Sequence, residues 1–289
     1  MENLRGIALM VASMAGFAFE DAMIKSAAST LAAGQIILIL SAIGAVIFAL
    51  WVRLAGQPLF GPALFERAVV IRNVTEMLSA VFLVSAFTRA PLTTVSAILQ
   101  AAPLFVTLGA ALFLGASVGW RRWSAIAVGF LGVLVILRPG AEGFQPASLL
   151  AVAGVVFLAA RDLATRGAPA HVSSLVMAFY GFVSASFSGA VLMAFQGGWA
   201  PVAPELLLRL AVTAVVGVIS YYMIVQAMRT GDVAVVTPFR YSRIVFAMGF
   251  GIFMFGEDVD RWTYLGIAIV IGSGLYTLLR EARLRRLAR

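Results

Sequence analysis

Apolar positions run along this chain in long unbroken stretches, and the polar ones gather between them. Reading the stretches between turn signals gives ten segments, roughly 4–24, 33–52, 68–88, 91–114, 120–138, 147–165, 172–195, 205–228, 233–255 and 262–280. Most come close to the ~20 residues an α-helix needs to cross a hydrocarbon core ~30 Å thick. The breaks, "GQPLFGP" at 56–62, Pro91, "RPGAEGFQP" at 138–146, "RGAP" at 166–169, "QGGWAPVAP" at 196–204 and "GEDVDR" at 256–261, hold glycine, proline or charge, which punctuate helices. The pattern predicts an all-α integral membrane protein with ten transmembrane helices. The first stretch continues into "FEDAMIK" without a small-residue cleavage site, so it reads as a retained helix rather than a signal peptide.

Composition agrees with the pattern. Of 289 residues, 62% are hydrophobic and 12% charged, against ~45–50% and ~25% for an ordinary soluble domain. The net charge of +8 does not form one basic patch interleaved with aromatics, so nucleic acid is not the expected partner. The basic residues stand at span ends instead. Arg5, Arg53, Arg67, Arg121, Arg122, Arg166, Arg229 and the tail "REARLRRLAR" fall on one side, and Lys25, Arg89, Arg138, Arg209 and Arg261 on the other. This bias predicts cytoplasmic termini in the cell's inner membrane, with the tail against anionic lipid. Trp51, Trp120, Trp123, Trp199 and Trp262 lie near span ends, as interfacial anchors do. Cysteine is absent, and His171 is the single histidine. No metal site or bound cofactor is expected, and Asp258 and Asp260 stand too isolated for paired-carboxylate chemistry, so an intramembrane enzyme is the poorer reading.

The chain also repeats itself. Shifted by 141 residues, Val95 meets Val236, Phe105 meets Phe246, Gly115 meets Gly256, Ile126 meets Ile267 and Leu137 meets Leu278 without a gap. Two five-helix halves, 1–141 and 142–289, are the expected division. Five is odd, so the second half enters the membrane upside down, as in inverted-repeat transporters.

Three stretches then point to a family: "GFAFEDAMIK" in the first span, "AFTRAPLTTVSAILQAAPLF" at the third-to-fourth junction, and "TPFRYSRIVFAMGFGIFMFGE" in the ninth. They resemble the drug/metabolite transporter superfamily, whose members carry two EamA-type repeats of five helices, and most of all its YddG-type exporters of aromatic amino acids. The resemblance covers essentially the whole chain. It implies a secondary transporter without cofactor, a small-molecule substrate, and fifth and tenth spans that pack peripherally in a monomer or weak homodimer. Gly256-Glu257 fits the family pattern, and Gly115-Ala116 in the first half departs from it.

The polar residues within spans are the candidate site. An arginine at mid-membrane costs ~2.5–3.5 kcal/mol on insertion scales, so Arg240 and Arg243 in the ninth span must face partners or water. At ~1.5 Å per residue, Arg240 lies about 10 Å and Arg243 about 15 Å from the cytoplasmic end, and Glu76 about 12 Å in along the third span. Depth therefore pairs Glu76 with one of these arginines. Arg72, four residues before Glu76, and Arg161 and Asp162 of the sixth span complete an expected cytoplasmic gate. Glu20 and Asp21 are expected at the exterior mouth, with Lys25 one turn beyond Asp21 on the same face. Mid-depth polar residues Asn73, Ser96, Gln100, Tyr221, Tyr222 and Tyr241, with Met14, Phe17, Met77 and Phe157 on spans the family uses around its cavity, are the expected substrate contacts. Pro103 and Pro238 interrupt the two spans that correspond in the repeat, and are the hinge candidates.

Overall fold

A computed structural model describes residues 2–115, 119–140, 144–169, 171–230 and 232–287. Ala116, Gly231, the end of the basic tail and residues 141–143, where the boundary between repeats is expected, lie outside these. The described chain is helical: α1 (Glu2–Ala27), α2 (Ala33–Leu54), α3 (Arg67–Phe87), α4 (Leu92–Leu99), α5 (Ala102–Phe113), α6 (Trp120–Leu137), α7 (Ser148–Arg166), α8 (Ser174–Phe195), α9 (Pro204–Thr230), α10 (Val233–Val236), α11 (Ser242–Phe255) and α12 (Arg261–Leu287). Among the described residues, nine helical stretches are long and apolar enough to cross a membrane, α4 and α5 counting together as Leu92–Phe113. The tenth crossing, 233–255, is α10, a 3-10 turn at Thr237–Tyr241, and α11.

The fourth and ninth crossings are thus both interrupted, and at matching places. The fourth gives way at Gln100–Ala101 and the ninth over the 3-10 turn Thr237–Tyr241, whose last residue lies one repeat length of 141 residues after Gln100. Pro103 and Pro238 each sit in the first two positions of the segment that follows or forms the break, where a missing N–H disrupts least. Beyond them, Gly115 and Gly256 both turn with positive φ, 62° and 63°, and α6 and α12 start 141 residues apart at Trp120 and Arg261. Only glycine takes that left-handed backbone without strain.

The helices group into two compact units, each drawing on both halves of the sequence. The first holds Met1–Ala22, Ala90–Leu149 and Val216–Arg289. In it α6 and α12 approach closely at two glycines: a Cβ on Gly266 would lie 2.8 Å from the Gly132 carbonyl, and one on Gly132 would lie 3.1 Å from the Gly266 carbonyl. The small residues of the tenth span therefore serve packing within the chain. At one end Asn3 accepts from the Asp232 amide. At the other, Glu257 accepts from the amides of Leu92 and Thr93, and Arg138 pairs with Asp260.

The second unit holds Met23–Arg89 and Leu150–Val215. Its α2 and α8 touch backbone to backbone, since a Cβ on Gly34 would fall 2.3 Å from the Met193 nitrogen and one on Gly189 would fall 2.6 Å from the Leu38 nitrogen. At one end of α2, Gln35 exchanges two hydrogen bonds with Ala200 and Gly34 donates to Gln196. Past its other end, Ser173 bonds Gln57 and His171 lies 3.5 Å from Glu66. In both units the turns that meet are those an up-and-down path through a membrane brings to one side. Large apolar side chains such as Phe113, Phe187 and Phe253 are 82%, 63% and 89% exposed, as lipid-facing positions are.

Candidate functional site

In the first unit the site is built from α1 and the break before α11. Ser13, Phe17, Glu20 and Asp21 follow one another on α1 at helical spacing and share a face. After Pro238 the chain tightens into the 3-10 turn and restarts at Ser242, which sets Arg243 in the first turn of α11. Its guanidinium donates from Nη2 to both oxygens of Asp21, at 2.8 and 2.7 Å, and from Nε at 3.1 Å. Asp21 is 3% exposed. The Arg243 guanidinium also lies 5.3 Å from the Phe17 ring centre, a cation-π distance. A charge-assisted fork of this kind is among the strongest polar contacts a side chain makes.

Glu20, next along α1, is different. Its carboxylate packs against the α-carbon of Gly217 on α9, where a Cβ would fall 2.9 Å from Oε2. Among the described residues no side chain or backbone group hydrogen-bonds it, and its charge faces both the like charge of Asp21 and the opposite charge of Arg243. Two carboxylates thus share one guanidinium. Below them Met10, Met14, Ala227 and Val236 form a buried apolar cluster flanked by Phe17, Ile224 and Met228. Gln100 donates to the Tyr241 carbonyl at 3.1 Å, so the breaks of the two corresponding spans touch through residues that are themselves repeat equivalents. The Ser96 and Tyr241 hydroxyls are buried without hydrogen-bond partners among the described residues, the latter against Gly274.

In the second unit α3 and α7 hold a charge-balanced network. Arg161 donates to Glu76 at 3.2 Å and to Asp162 at 2.7 Å, and Arg72 approaches Glu76 at 3.6 Å from one turn away. Arg72 also donates to Asn73 at 3.1 Å and lies over Gly181 of α8, whose missing side chain makes the room. Ser79 bonds the Gly154 carbonyl at 3.2 Å, and Phe157 stacks on Phe82 with centres 5.5 Å apart. Met77 is half-buried on α3.

Two sequence expectations need correction. Glu76 takes Arg161 and Arg72, while the partner of Arg243 is Asp21, so the expected gate is two separate clusters. Depth along a span gives level but not azimuth, and the 3-10 turn, rising ~2.0 Å per residue, carries Arg243 deeper than uniform α geometry allows. Asp21 is accordingly not a solvated mouth residue, and its charge goes to Arg243 rather than to Lys25 on its own helix face. Tyr222 is 46% exposed, on the outward side of α9, whereas Tyr221 is half-buried. Arg240 lies exposed on the 3-10 turn. The residues that the sequence did not single out are Gly217 and Gly181. Each reads locally as a helix-packing glycine, and only the long-range neighbour reveals that it makes room for a charge.

A model of the EamA-like transporter family matches the chain twice, over residues 4–138 and 145–279. Both bounds step by 141 residues, the offset at which the sequence aligns with itself. The chain is 30% identical over 196 residues to an S-adenosylmethionine uptake transporter of Rickettsia conorii, covering 68% of this chain and 66% of that protein. It is 30% identical over 190 residues to a riboflavin transporter of Vibrio cholerae, covering 66% and 63%. It is 29% identical over 276 residues to a pseudopaline exporter of Pseudomonas aeruginosa, covering 92% and 93%. The chain therefore spans just under two thirds of the first two relatives and nearly all of the third. A solved crystal structure aligns over 98% of both chains with a TM-score of 0.64 at 20% identity, a likeness of fold.

Proposed function

We propose, on the premise that the chain belongs to the EamA-like transporter family, that it is a secondary transporter of a small amphipathic metabolite bearing an amino-acid head group. The observation that carries this reading is the uneven charge of the α1 site: Arg243 is held by Asp21, and Glu20 has no hydrogen-bond partner among the described residues. A substrate ammonium at Glu20 would neutralise a carboxylate otherwise left bare in the membrane, and the Arg243 fork is the group placed to meet a substrate carboxylate. Phe17, Met14 and the methionine cluster supply an adaptable apolar wall for the rest of the molecule. A nucleotide sugar is disfavoured, since its phosphates need several free cations.

Apolar and aromatic amino acids, moved outward across the inner membrane with both chain termini cytoplasmic, are the first cargo to test. A permanently cationic amino-acid derivative, of the kind named for the Rickettsia relative, is the second, favoured by the bare carboxylate of Glu20. The two halves, 1–141 and 142–289, act as the repeats of an alternating-access cycle. The Asp21–Arg243 pair and the Glu76 cluster are its polar latches, and the Gln100–Tyr241 contact is its hinge.

The test uses proteoliposomes loaded with labelled phenylalanine, methionine, S-adenosylmethionine, a nucleotide sugar or a quaternary ammonium dye. Flux of an ammonium-bearing amino acid or derivative is expected, falling at least about tenfold in Glu20→Gln if a buried ion pair to the substrate is lost. Flux of the nucleotide sugar alone, or full amino-acid flux in Glu20→Gln, would remove this reading.

A further inference from the structure

The turn at 256–260 does more than end α11. Glu257 accepts the amides of Leu92 and Thr93, so a carboxylate at the close of the ninth crossing holds the first turn of the fourth. A side-chain anion in that place satisfies two amides that have no partner inside their helix and meets the positive end of its dipole. Leu92 and Thr93 are 0% and 2% exposed, so the carboxylate rather than water satisfies them. Gly251 on α11 makes the room: a Cβ there would fall 2.6 Å from both Glu257 Oε2 and Thr93 Oγ1. The same turn ties down α6, since Asp260 pairs with Arg138.

The 141-residue offset shows that the other repeat lacks the groups for this contact. Leu92 and Thr93 correspond to Val233 and Ala234, and the backbone is laid out alike at the two places: Val95 donates to the Pro91 carbonyl, and Val236 to that of Asp232. The acceptor is what differs. Glu257 corresponds to Ala116, Asp260 to Gly119 and Gly251 to Ala110. Both carboxylates are thus replaced by residues without a side-chain oxygen, and the space left by Gly251 is taken by a methyl group. At that end the amide of Asp232 goes to Asn3 of α1, an exposed bond to a neutral oxygen. Two states of an inverted repeat exchange the roles of its halves. A fastening built into one half alone therefore sets an energy difference between them.

We propose that Glu257 is a one-sided gate clamp: it holds the fourth crossing to the ninth at the 256–260 end, releases when that end opens, and so biases the cycle toward the state closed there. This rests on the alternating-access reading of the two halves and not on which cargo is moved. Charge-assisted bonds from two buried amides are enough to shift a two-state population about tenfold.

The chain contains no cysteine, so single thiols at Thr94 and Val235, half-buried repeat equivalents, report the two ends separately. The full chain in detergent is labelled with a maleimide, and rates are compared with those in three backgrounds. Glu257→Gln removes the charge, and Gly251→Ala displaces the carboxylate. The graft Ala110→Gly/Ala116→Glu keeps Glu257 and gives the other end its missing groups. In all three, labelling of Thr94→Cys is expected to rise several-fold and labelling of Val235→Cys to fall, because opening one end closes the other. The graft leaves the cap on α4 intact, so a purely structural cap would not move either rate there. A rise at Thr94→Cys with Val235→Cys unchanged would make Glu257 a helix cap and nothing more. A rise at both would be general loosening, and no change at either would mean that nothing is clamped; each of these overturns the proposal. If Glu257→Gln and Gly251→Ala do not fold, the graft decides, and unchanged rates in it are sufficient to overturn the clamp. No flux is read, so failure here leaves the cargo reading to its own assay in Glu20→Gln.

Discussion

The buried pair Asp21–Arg243 and the four-residue cluster around Glu76 answer one physical problem in two ways. A guanidinium in hydrocarbon needs a counter-charge, and among the described residues Arg243 has a single carboxylate in hydrogen-bond contact, whereas Arg161 has two. Removing the carboxylate that hydrogen-bonds it leaves Arg243 only the unbonded Glu20 as a neighbouring charge, so Asp21→Asn is expected to cost about 3 kcal/mol of stability. Thermal unfolding in detergent should show much of that loss recovered in the double variant Asp21→Asn/Arg243→Gln, because the uncompensated charge is then gone. Strictly additive losses would mean that the pair is not coupled. Glu76→Gln leaves Arg161 its bond to Asp162 and Arg72 its bond to Asn73, so a smaller loss, about 1–3 kcal/mol, is expected in the same assay. That these charges lie within spans was legible in the sequence, because an arginine inside an apolar run is conspicuous. Which carboxylate each arginine takes was not, because nothing local to "TPFRYSR" encodes that α1 stands beside α11.

At the scale of elements, the spans were readable because ~20 apolar residues between punctuation admit one structure in lipid. The interruptions at Pro103 and Pro238 were readable as well, since proline cannot donate the bond a continuous helix needs. Their meeting through Gln100 and the Tyr241 carbonyl was not, although the repeat offset already marked the two residues as equivalents. The start of α12 shows how a short sequence can carry more than a turn. In "GEDVDR", Asp260 caps α12 and Glu257 caps α4, so one six-residue stretch ties down two helix ends. Burial pushes the Asp260 carboxyl up, but the Thr263 amide, the Arg138 guanidinium and the Trp262 amide outweigh it and hold it below the ordinary 3.8. A depressed carboxyl contributes stability that is full above its unfolded value and lost as pH falls through its folded one. The first turn of α12 is therefore expected to loosen as pH falls below 3.8. Amide exchange at Trp262 and Thr263, corrected for intrinsic rates, should rise there, and Asp260→Asn, which keeps an acceptor but does not titrate, should flatten the profile. A profile unchanged by that substitution would remove Asp260 as its cause.

For the whole molecule, ten crossings and an odd-numbered repeat tie together facts that no single helix contains. The chain must alternate sides, so among the described residues 28–32, 88–91, 138–140, 144–147, 196–203 and 256–260 are expected on one side and 54–66, 114–115, 166–169, 171–173, 230 and 232 on the other. Within each unit the observed turn contacts obey this rule: Gln35 with Ala200 and Arg138 with Asp260 on one side, Gln57 with Ser173 and Asn3 with Asp232 on the other. Misreading any one of the first nine spans would have put at least one of these partners at opposite ends. The second side is expected in the cytoplasm, since Arg5, Arg53, Arg67, Arg121, Arg122, Arg166 and Arg229 stand at span ends beside it, against Lys25, Arg89, Arg138, Arg209 and Arg261 at the other, and short basic loops resist translocation. The absence of native cysteine makes the test direct. Single cysteines at Gly140 and Gly198 are expected to react with an impermeant maleimide applied to intact cells, and one at Gly56 only after the membrane is opened. These three glycines stand in turns where a Cβ meets nothing within 4 Å, so neighbouring atoms leave the thiol room. Their φ values are positive, so a cysteine strains the local turn, and correct insertion is checked by total labelling after solubilisation. Reaction of Gly56→Cys but not Gly140→Cys or Gly198→Cys in intact cells would invert the orientation and keep the fold. Reaction of Gly140→Cys without Gly198→Cys would break the alternation itself, and with it the ten-span path on which the inverted repeat depends.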